Sequence, residues 1–501
     1  MFFQNKKYKP WKKSDFFWSI FQFAIHAVVL IGLFALTTLI YKGANGFVDF
    51  ITSSETRMSA IYAVIVVIAL CVVLYLYYFF EFRDYLVRPK NIAVLLIVIE
   101  LSYMVCVAMG KFNGIFSRPS ALCCLLILLL VNYRTAIFTN FVFSALLLCS
   151  DLLLDGGFGS TVVLGQFITS VLTGHLAVYL VNNVGSRIKV FGMGFVISVP
   201  IACMALLFSF KPGMEAIKIM KIIFDGFMSG ILSTVIMMAI LPVFEYVFNI
   251  LTNYRLAEIT DHKSKLIKKL IEEAPGTFQH SLVVSTLAET CATAIGENPI
   301  LARAAAYYHD MGKLKQPLYF TENQHGYNPH DELAPELSTQ IIRSHTTDGY
   351  ELIKKYHLPL ILADVAREHH GTLPIQYFYN KALKFTEGDL DIKDFSYAGP
   401  KPSTKIAAII MLADGCEAAV RAQNDRSREK VEKVVTAIVD DRMKLDQFSD
   451  CEITMREIDI IKNALEDSLS GVYHDRIKYP KMKDKRINEF DSSKKEKNGK
   501  A

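Results

Sequence analysis

Seven side chains in the second half of the sequence are of types that hold divalent metals: His280, the adjacent pair His309-Asp310, His345, the pair His369-His370, and Asp414. All are imidazole or carboxylate donors, a set that suits Mn or Fe better than a thiolate zinc site would. An Asp beside a His can bridge two ions. Two close ions polarise a phosphate, lower the pKa of a bridging water and stabilise the leaving oxyanion, which is the apparatus for splitting phosphoesters. Lys313, in the string YYHDMGK, could neutralise charge building on phosphate oxygens. Asp310 and Lys313 are therefore the candidate catalytic residues. Lys313, His325 and Arg421 are the candidate substrate contacts, and His330 lies in the same loop as His325. His262, His357 and His474 read as packed or solvated side chains.

The elements that must position this set are helical. Apolar periodicity predicts helices over 280–296, 299–309, 335–356, 359–369, 403–423, 427–444 and 455–472, and strand-like alternation is scarce. Each candidate ligand group then comes from a different helix, which is how bundles assemble dinuclear sites. The segment 315–334, rich in Pro, Asn, Gly and His, reads as a loop beside the cluster. A second irregular stretch, 371–402, ends in a rigid Gly399-Pro400-Lys401-Pro402 turn before the helix that delivers Asp414.

Upstream the chain changes character. It has 501 residues, 52% of them hydrophobic, and the apolar excess is concentrated in residues 16–250. Membrane spans are expected at 16–41, 59–80, 92–110, 119–132, 135–154, 161–182, 190–210 and 223–249. A crossing helix needs about 20 apolar residues, so 119–132 is short. Counting it gives eight crossings and puts both ends on one side. Arg83, Arg88, Lys90, Arg187 and Lys189 would then face inward with the basic residues 1–15, although Lys111, Arg118 and the lysines near 211–221 blur the contrast. The apolar run is too long for a signal peptide and lacks a small-x-small cleavage site. Within the spans, His26, Glu100, His175 and Asp225 are scattered, without the repeated relay of a transport path. Residues 42–58 read as a loop too short to fold alone, so no extracellular domain is expected.

Residues 251–273, with Leu256, Ile259, Leu266, Ile267, Leu270 and Ile271 near helical spacing, read as a linker helix between membrane and soluble domain. A homodimer paired along this run is compatible with the pattern, but the run is too brief to specify a coiled coil. The soluble domain is expected at 274–480, followed by a disordered charged tail at 481–501. The formal net charge of +5 sits at the ends and beside the apolar runs, favouring anionic lipid over a nucleic acid polymer. Nine cysteines without a CxxC pair indicate reduced thiols, not a disulfide framework. The predicted fold class is all-α: a polytopic helical membrane domain followed by an all-helical cytoplasmic one.

The order H…HD…H…HH…D resembles the HD-domain superfamily of metal-dependent phosphohydrolases. The strings EAPGTFQHS, YYHDMGKLKQPLYFTENQ, NPHDEL, REHHGT, QYFYNKA, FSYAGPKPSTKIAAIIMLADGCEAAVRA and GVYHDRIKYP are more specific. With the membrane layout they resemble the 7TM-HD (PgpH-like) family of membrane-anchored cyclic di-AMP phosphodiesterases. The resemblance implies that His280, His309, Asp310, His345, His369, His370 and Asp414 bind two Mn or Fe ions, with Asp310 bridging. It implies hydrolysis of cyclic di-AMP to linear pApA by water held between the metals, on the cytoplasmic side of a bacterial plasma (inner) membrane. Typical members carry a large extracellular domain between the first two spans, where this chain has only residues 42–58. Leu373-Pro374 after His-His-Gly-Thr, and Ala398, are smaller departures that touch no ligand.

Two other classes compete. An HD hydrolase could act on cyclic di-GMP, a linear dinucleotide or a nucleoside polyphosphate. Relatives using cyclic di-GMP carry an HHExxDGxGYP-type string, whereas His369-His370 is followed here by GTLPIQY. A nucleotide-binding membrane receptor without turnover has no support in the ligand pattern, since no expected ligand is missing.

Overall fold

In the computed structural model, residues 12–155, 160–182, 184–385 and 389–472 are described. Among them there is no strand, only one isolated antiparallel bridge between Pro374 and Ser396. The 481–501 tail and His474 lie outside the described residues.

The first half is a bundle of α1 (Lys13–Thr52), α2 (Ser54–Glu81), a short α3 (Arg83–Leu86), α4 (Pro89–Asn113), α5 (Leu122–Leu130), α6 (Tyr133–Asp155), α7 (Thr161–Val181), α8 (Arg187–Ser209) and α9 (Ala216–Val247). Seven of these are long and apolar enough to cross a bilayer. Their outer faces leave Phe17, Val28, Phe80, Leu207 and Ile217 exposed, as lipid-facing surfaces do.

Three details differ from the expectations. Residues 42–58 are mostly helical: α1 breaks only at Gly43, whose φ of 71° favours glycine, and α2 begins at Ser54. The 119–132 segment contains a helix of just nine residues, about 14 Å long, less than half the ~30 Å hydrocarbon core. It is buried among its neighbours instead of facing lipid. Arg118, expected between two spans, and Asp151 are 4% and 5% exposed and form an ion pair at 2.7 Å. Asp151 stands inside α6, and the Arg118 carbonyl accepts from Ser229 Oγ of α9, so this pair ties the head of α5 to two long helices. His26 and Glu100 pair at 2.7 Å between α1 and α4, and Asn140 bonds His175 between α6 and α7. These groups serve helix-to-helix contacts.

The linker is two helices instead of one: α10 (Asn253–Ile259) and α11 (Lys265–Glu273). Thr252 caps α10 by accepting from the Arg255 N–H, and also bonds Glu245. The chain turns between them, and Leu266, Ile267 and Leu270 bury in the core of the second half. That part of the stripe packs within its own chain. Within α10, Tyr254 belongs to the membrane-side core and Leu256 to the other.

The second half comprises α12 (Pro275–Ala294), α13 (Pro299–Tyr308), α14 (Pro335–Lys355), α15 (Leu360–Glu368), α16 (Gln376–Ala382), α17 (Lys405–Arg421), α18 (Arg428–Lys444) and α19 (Met455–Val472). Three of the helices around the centre start with Pro in the first turn, where its missing N–H costs nothing. Asn298 caps α13 and Thr404 caps α17.

Replacing Arg118 with Ala should destabilise the membrane part by about 3–5 kcal/mol, because the Asp151 carboxylate stays buried without its guanidinium. Thermal unfolding in detergent measures this, and an unchanged Tm would refute a stabilising pair.

Candidate metal centre

The seven predicted ligands converge. His280 lies in the second turn of α12. His309 caps the end of α13 and Asp310 follows in a turn, while His345 is in the middle of α14. His369 caps α15 with His370 next, and Asp414 lies in α17. Their donor atoms form three overlapping trios, each within 4.8 Å: His280–His309–Asp414, His345–His369–His370 and His309–Asp310–His369.

Asp310 stands between the first two trios. Its Oδ2 is 3.3 Å from His309 Nε2 and 3.7 Å from His280 Nε2. Its Oδ1 is 3.5 Å from His345 Nε2 and 3.7 Å from His369 Nε2. One carboxylate thus turns an oxygen toward each half. Asp414 Oδ1 sits 2.9 Å from His280 Nε2, and its Oδ2 is 3.8 Å from His370 Nδ1.

The rings are held from behind. The Nδ1 atoms of His309, His345 and His369 lie 2.7, 2.5 and 2.8 Å from the carbonyl oxygens of Ala306, Ile342 and Ala366. Donation to a carbonyl fixes the tautomer and leaves Nε2 as a free electron pair facing inward. His280 Nδ1 instead meets Glu417 Oε2 at 2.6 Å.

Loops complete the scaffold. The Asn323 side-chain oxygen accepts from the N–H groups of Gly276 and Thr277 at 2.9 and 3.2 Å, satisfying open donors in the first turn of α12. Glu368 accepts from the Ser403 N–H and hydroxyl, tying the end of α15 to the start of α17. At Gly312 an added Cβ would meet the His345 carbonyl oxygen at 1.9 Å, so only glycine allows the turn after Asp310 to lie against α14.

Charge is distributed unevenly. Burial opposes protonation of His309, but Asp310 and Asp414 outweigh it and push the imidazole up to about 10. Burial likewise opposes charge on His280, yet Asp414 and Glu417 raise its pKa. In the other half burial dominates: His345 and His369 are lowered, and His370 falls to about 3. Burial also works against the Asp310 carboxylate, which His309 and Lys313 nevertheless hold well below the usual range. His309 Nε2 and both Asp310 oxygens are buried without a well-oriented hydrogen bond. Such groups are costly, by about 1–3 kcal/mol each, unless a cation meets them. The donor set therefore fits two divalent ions, one per half.

The remaining candidates divide. Lys313 Nζ lies 2.7 Å from Asp310 Oδ2 and 2.8 Å from Glu322 Oε1, at the edge of the centre. His325 is exposed in its loop. His330 is packed between Tyr319 and Phe378 and bonds the Tyr319 carbonyl, a structural role. Arg421 does not join the ligands; it pairs with Glu417 behind His280. Sequence reasoning missed Glu417, Asn323 and Tyr397, whose ring stacks on His370 at 4.3 Å. Glu417 lies one helical turn after Asp414, and that i, i+3 spacing was the available signal.

This is a helical membrane bundle joined to a helical hydrolase domain with a dinuclear-type ligand set. Residues 57–252 match the model of the 7TM receptor with intracellular HD hydrolase, and residues 277–419 match the HD domain. The chain belongs to this 7TM-HD family and is a multi-pass membrane protein whose HD domain binds divalent metal. It is 36% identical over 417 residues to the cyclic-di-AMP phosphodiesterase PgpH of Bacillus subtilis, covering 81% of this chain and 58% of that one. It is 37% identical over 375 residues to PgpH of Listeria monocytogenes, covering 74% and 51%. It therefore spans little more than half the length of these curated relatives. The crystal structure of the L. monocytogenes PgpH HD domain with cyclic-di-AMP shares 48% identity, covering 43% of this chain and 99% of that one, with a TM-score of 0.41.

Two outcomes test the geometry. Asp310→Ala should bind fewer than two equivalents of Mn by metal analysis, and retention of both would refute a bridging role. Gly312→Ala should lower Tm, at a cost of about 1–3 kcal/mol, and release metal as α14 is displaced; an unaltered Tm would contradict the close packing.

Proposed function

We propose that this chain is a membrane-held phosphodiesterase that hydrolyses cyclic di-AMP to linear pApA. The observation that carries the reading is Asp310, with one oxygen toward each trio of ligands. Two divalent cations, Mn or Fe, supply the activated water and the charge stabilisation that phosphodiester cleavage needs. His280, His309 and Asp414 would hold one ion and His345, His369 and His370 the other, with the Asp310 carboxylate available to both.

The chain's own residues also set the approach. His370 and Asp414 have side chains 21% and 13% exposed, while His280, His309, His345 and His369 are nearly closed off, so a phosphate enters on the His370–Asp414 side. Tyr397, stacked on His370, walls that entrance with an aromatic face. Lys313, kept charged between Asp310 and Glu322, offers its ammonium to a phosphate oxygen. The names of the two PgpH relatives support cyclic di-AMP as the substrate.

The HD domain faces the cytoplasm of a bacterial plasma membrane in this reading. Arg83, Arg88, Lys90, Arg187 and Lys189 then lie on the inner face, as the positive-inside rule requires. The bundle's exposed apolar faces contact the lipid bilayer. The nine-residue helix in 119–132 is too short to cross alone; counted with the 3-10 turn Ile115–Ser117 before it as an eighth, protein-enclosed passage, it keeps both ends inside.

The test is hydrolysis of cyclic di-AMP and cyclic di-GMP by the full chain in detergent with Mn. Selective accumulation of pApA is expected. A metal-loaded protein that cleaves cyclic di-GMP preferentially, or neither compound, would overturn the assignment.

A further inference from the structure

Of the four deeply buried histidines in the candidate centre, three rest on neutral carbonyl dipoles and His280 rests on a charge. Glu417 Oε2 lies 2.6 Å from His280 Nδ1, and the Glu417 side chain is 1% exposed. Its other oxygen, Oε1, pairs with Arg421 at 3.3 Å, one turn further along α17. The arrangement fixes the carboxylate rotamer and leaves Oε2 for the imidazole.

The consequence is an imbalance between the two halves. The His280–His309–Asp414 half has Asp414 within it, Oδ2 of Asp310 beside it and Glu417 behind it. The His345–His369–His370 half consists of imidazoles and has Oδ1 of Asp310 nearest. A carboxylate behind a ligating imidazole raises its basicity and fixes its ring, and in a water-poor site the added negative charge attracts a cation strongly.

We propose that Glu417 is a positioning residue that makes the His280–His309–Asp414 half the tighter of two unequal ion sites, so that the halves load in order. The inference rests on the dinuclear reading above. Glu417 touches neither substrate nor reacting atoms; it acts through His280.

The experiment is Mn titration of the full chain in detergent, with free Mn followed by electron paramagnetic resonance. Two steps of unequal affinity are expected for the unaltered protein. Glu417→Gln keeps the shape and an acceptor oxygen but loses the charge. It should weaken the tight step by about 10–100-fold and leave the weak step within about twofold. Equal weakening of both steps, or no change in either, overturns the proposal. His370→Gln, on the opposite half and at the entrance, tests the same point whether or not Glu417→Gln folds. It should lose the weak step and keep the tight one; loss of the tight step overturns the proposal. Two equal steps in the unaltered protein refute this inference and leave the hydrolysis reading intact. Unequal steps without cleavage of any cyclic dinucleotide do the reverse.

Discussion

Asp310 is the constraint on which the second half of the molecule depends. Its carboxylate is fully enclosed, ionised, and turned toward four imidazole nitrogens from four different helices. A buried anion of this kind persists only where positive charge meets it. Lys313 supplies part of that charge from one side. The rest has to come from the space between the two trios of ligands, and the size and donor chemistry of that space suit divalent ions. Folding here therefore creates a demand for cations.

Meeting that demand requires helices to approach at fixed distances. The turn after Asp310 lies so close to α14 that Gly312 cannot acquire a side chain without striking the His345 backbone. Asn323 pins the start of α12 through backbone N–H groups that helix end leaves open, and Glu368 holds Ser403, just ahead of α17, by its N–H and hydroxyl. Hydrogen bonds to protein groups orient four of the rings from behind. Preorganisation of this sort, and not the identity of the ligands alone, separates a metal centre from a surface cluster of histidines.

The converging candidate ligands were legible in the sequence because they are unusual: packing alone seldom places adjacent His-Asp and His-His pairs in apolar helices. Glu417 was not, since a glutamate in an amphipathic helix has the look of a solvated side chain until α17 is packed against α12. Arg421, a candidate substrate contact, pairs with Glu417 one turn back along α17. In the membrane part, apolar runs announced the long helices, whereas the Arg118–Asp151 pair joins residues 33 positions apart and was invisible to local pattern. The linker's stripe predicted helix correctly, but nothing local to it signalled the break at 260–264. That break exists because Leu256 and Leu266 must both reach one core from a chain descending from another.

The same break has a mechanical side. Arg187, at the start of α8, pairs with Glu245 at the end of α9 and with Glu258 in α10. Its guanidinium lies over the Tyr254 ring, and the Tyr254 hydroxyl donates to the Val184 carbonyl. One turn later the Ile259 carbonyl accepts from the hydroxyl of Tyr308, the residue immediately before His309. α10 is thus bonded along its length to Arg187 at the start of α8 and, at Ile259, to the helix that carries the His-Asp pair. A shift of α8 against α9 would meet these bonds before it met any side chain of the metal centre.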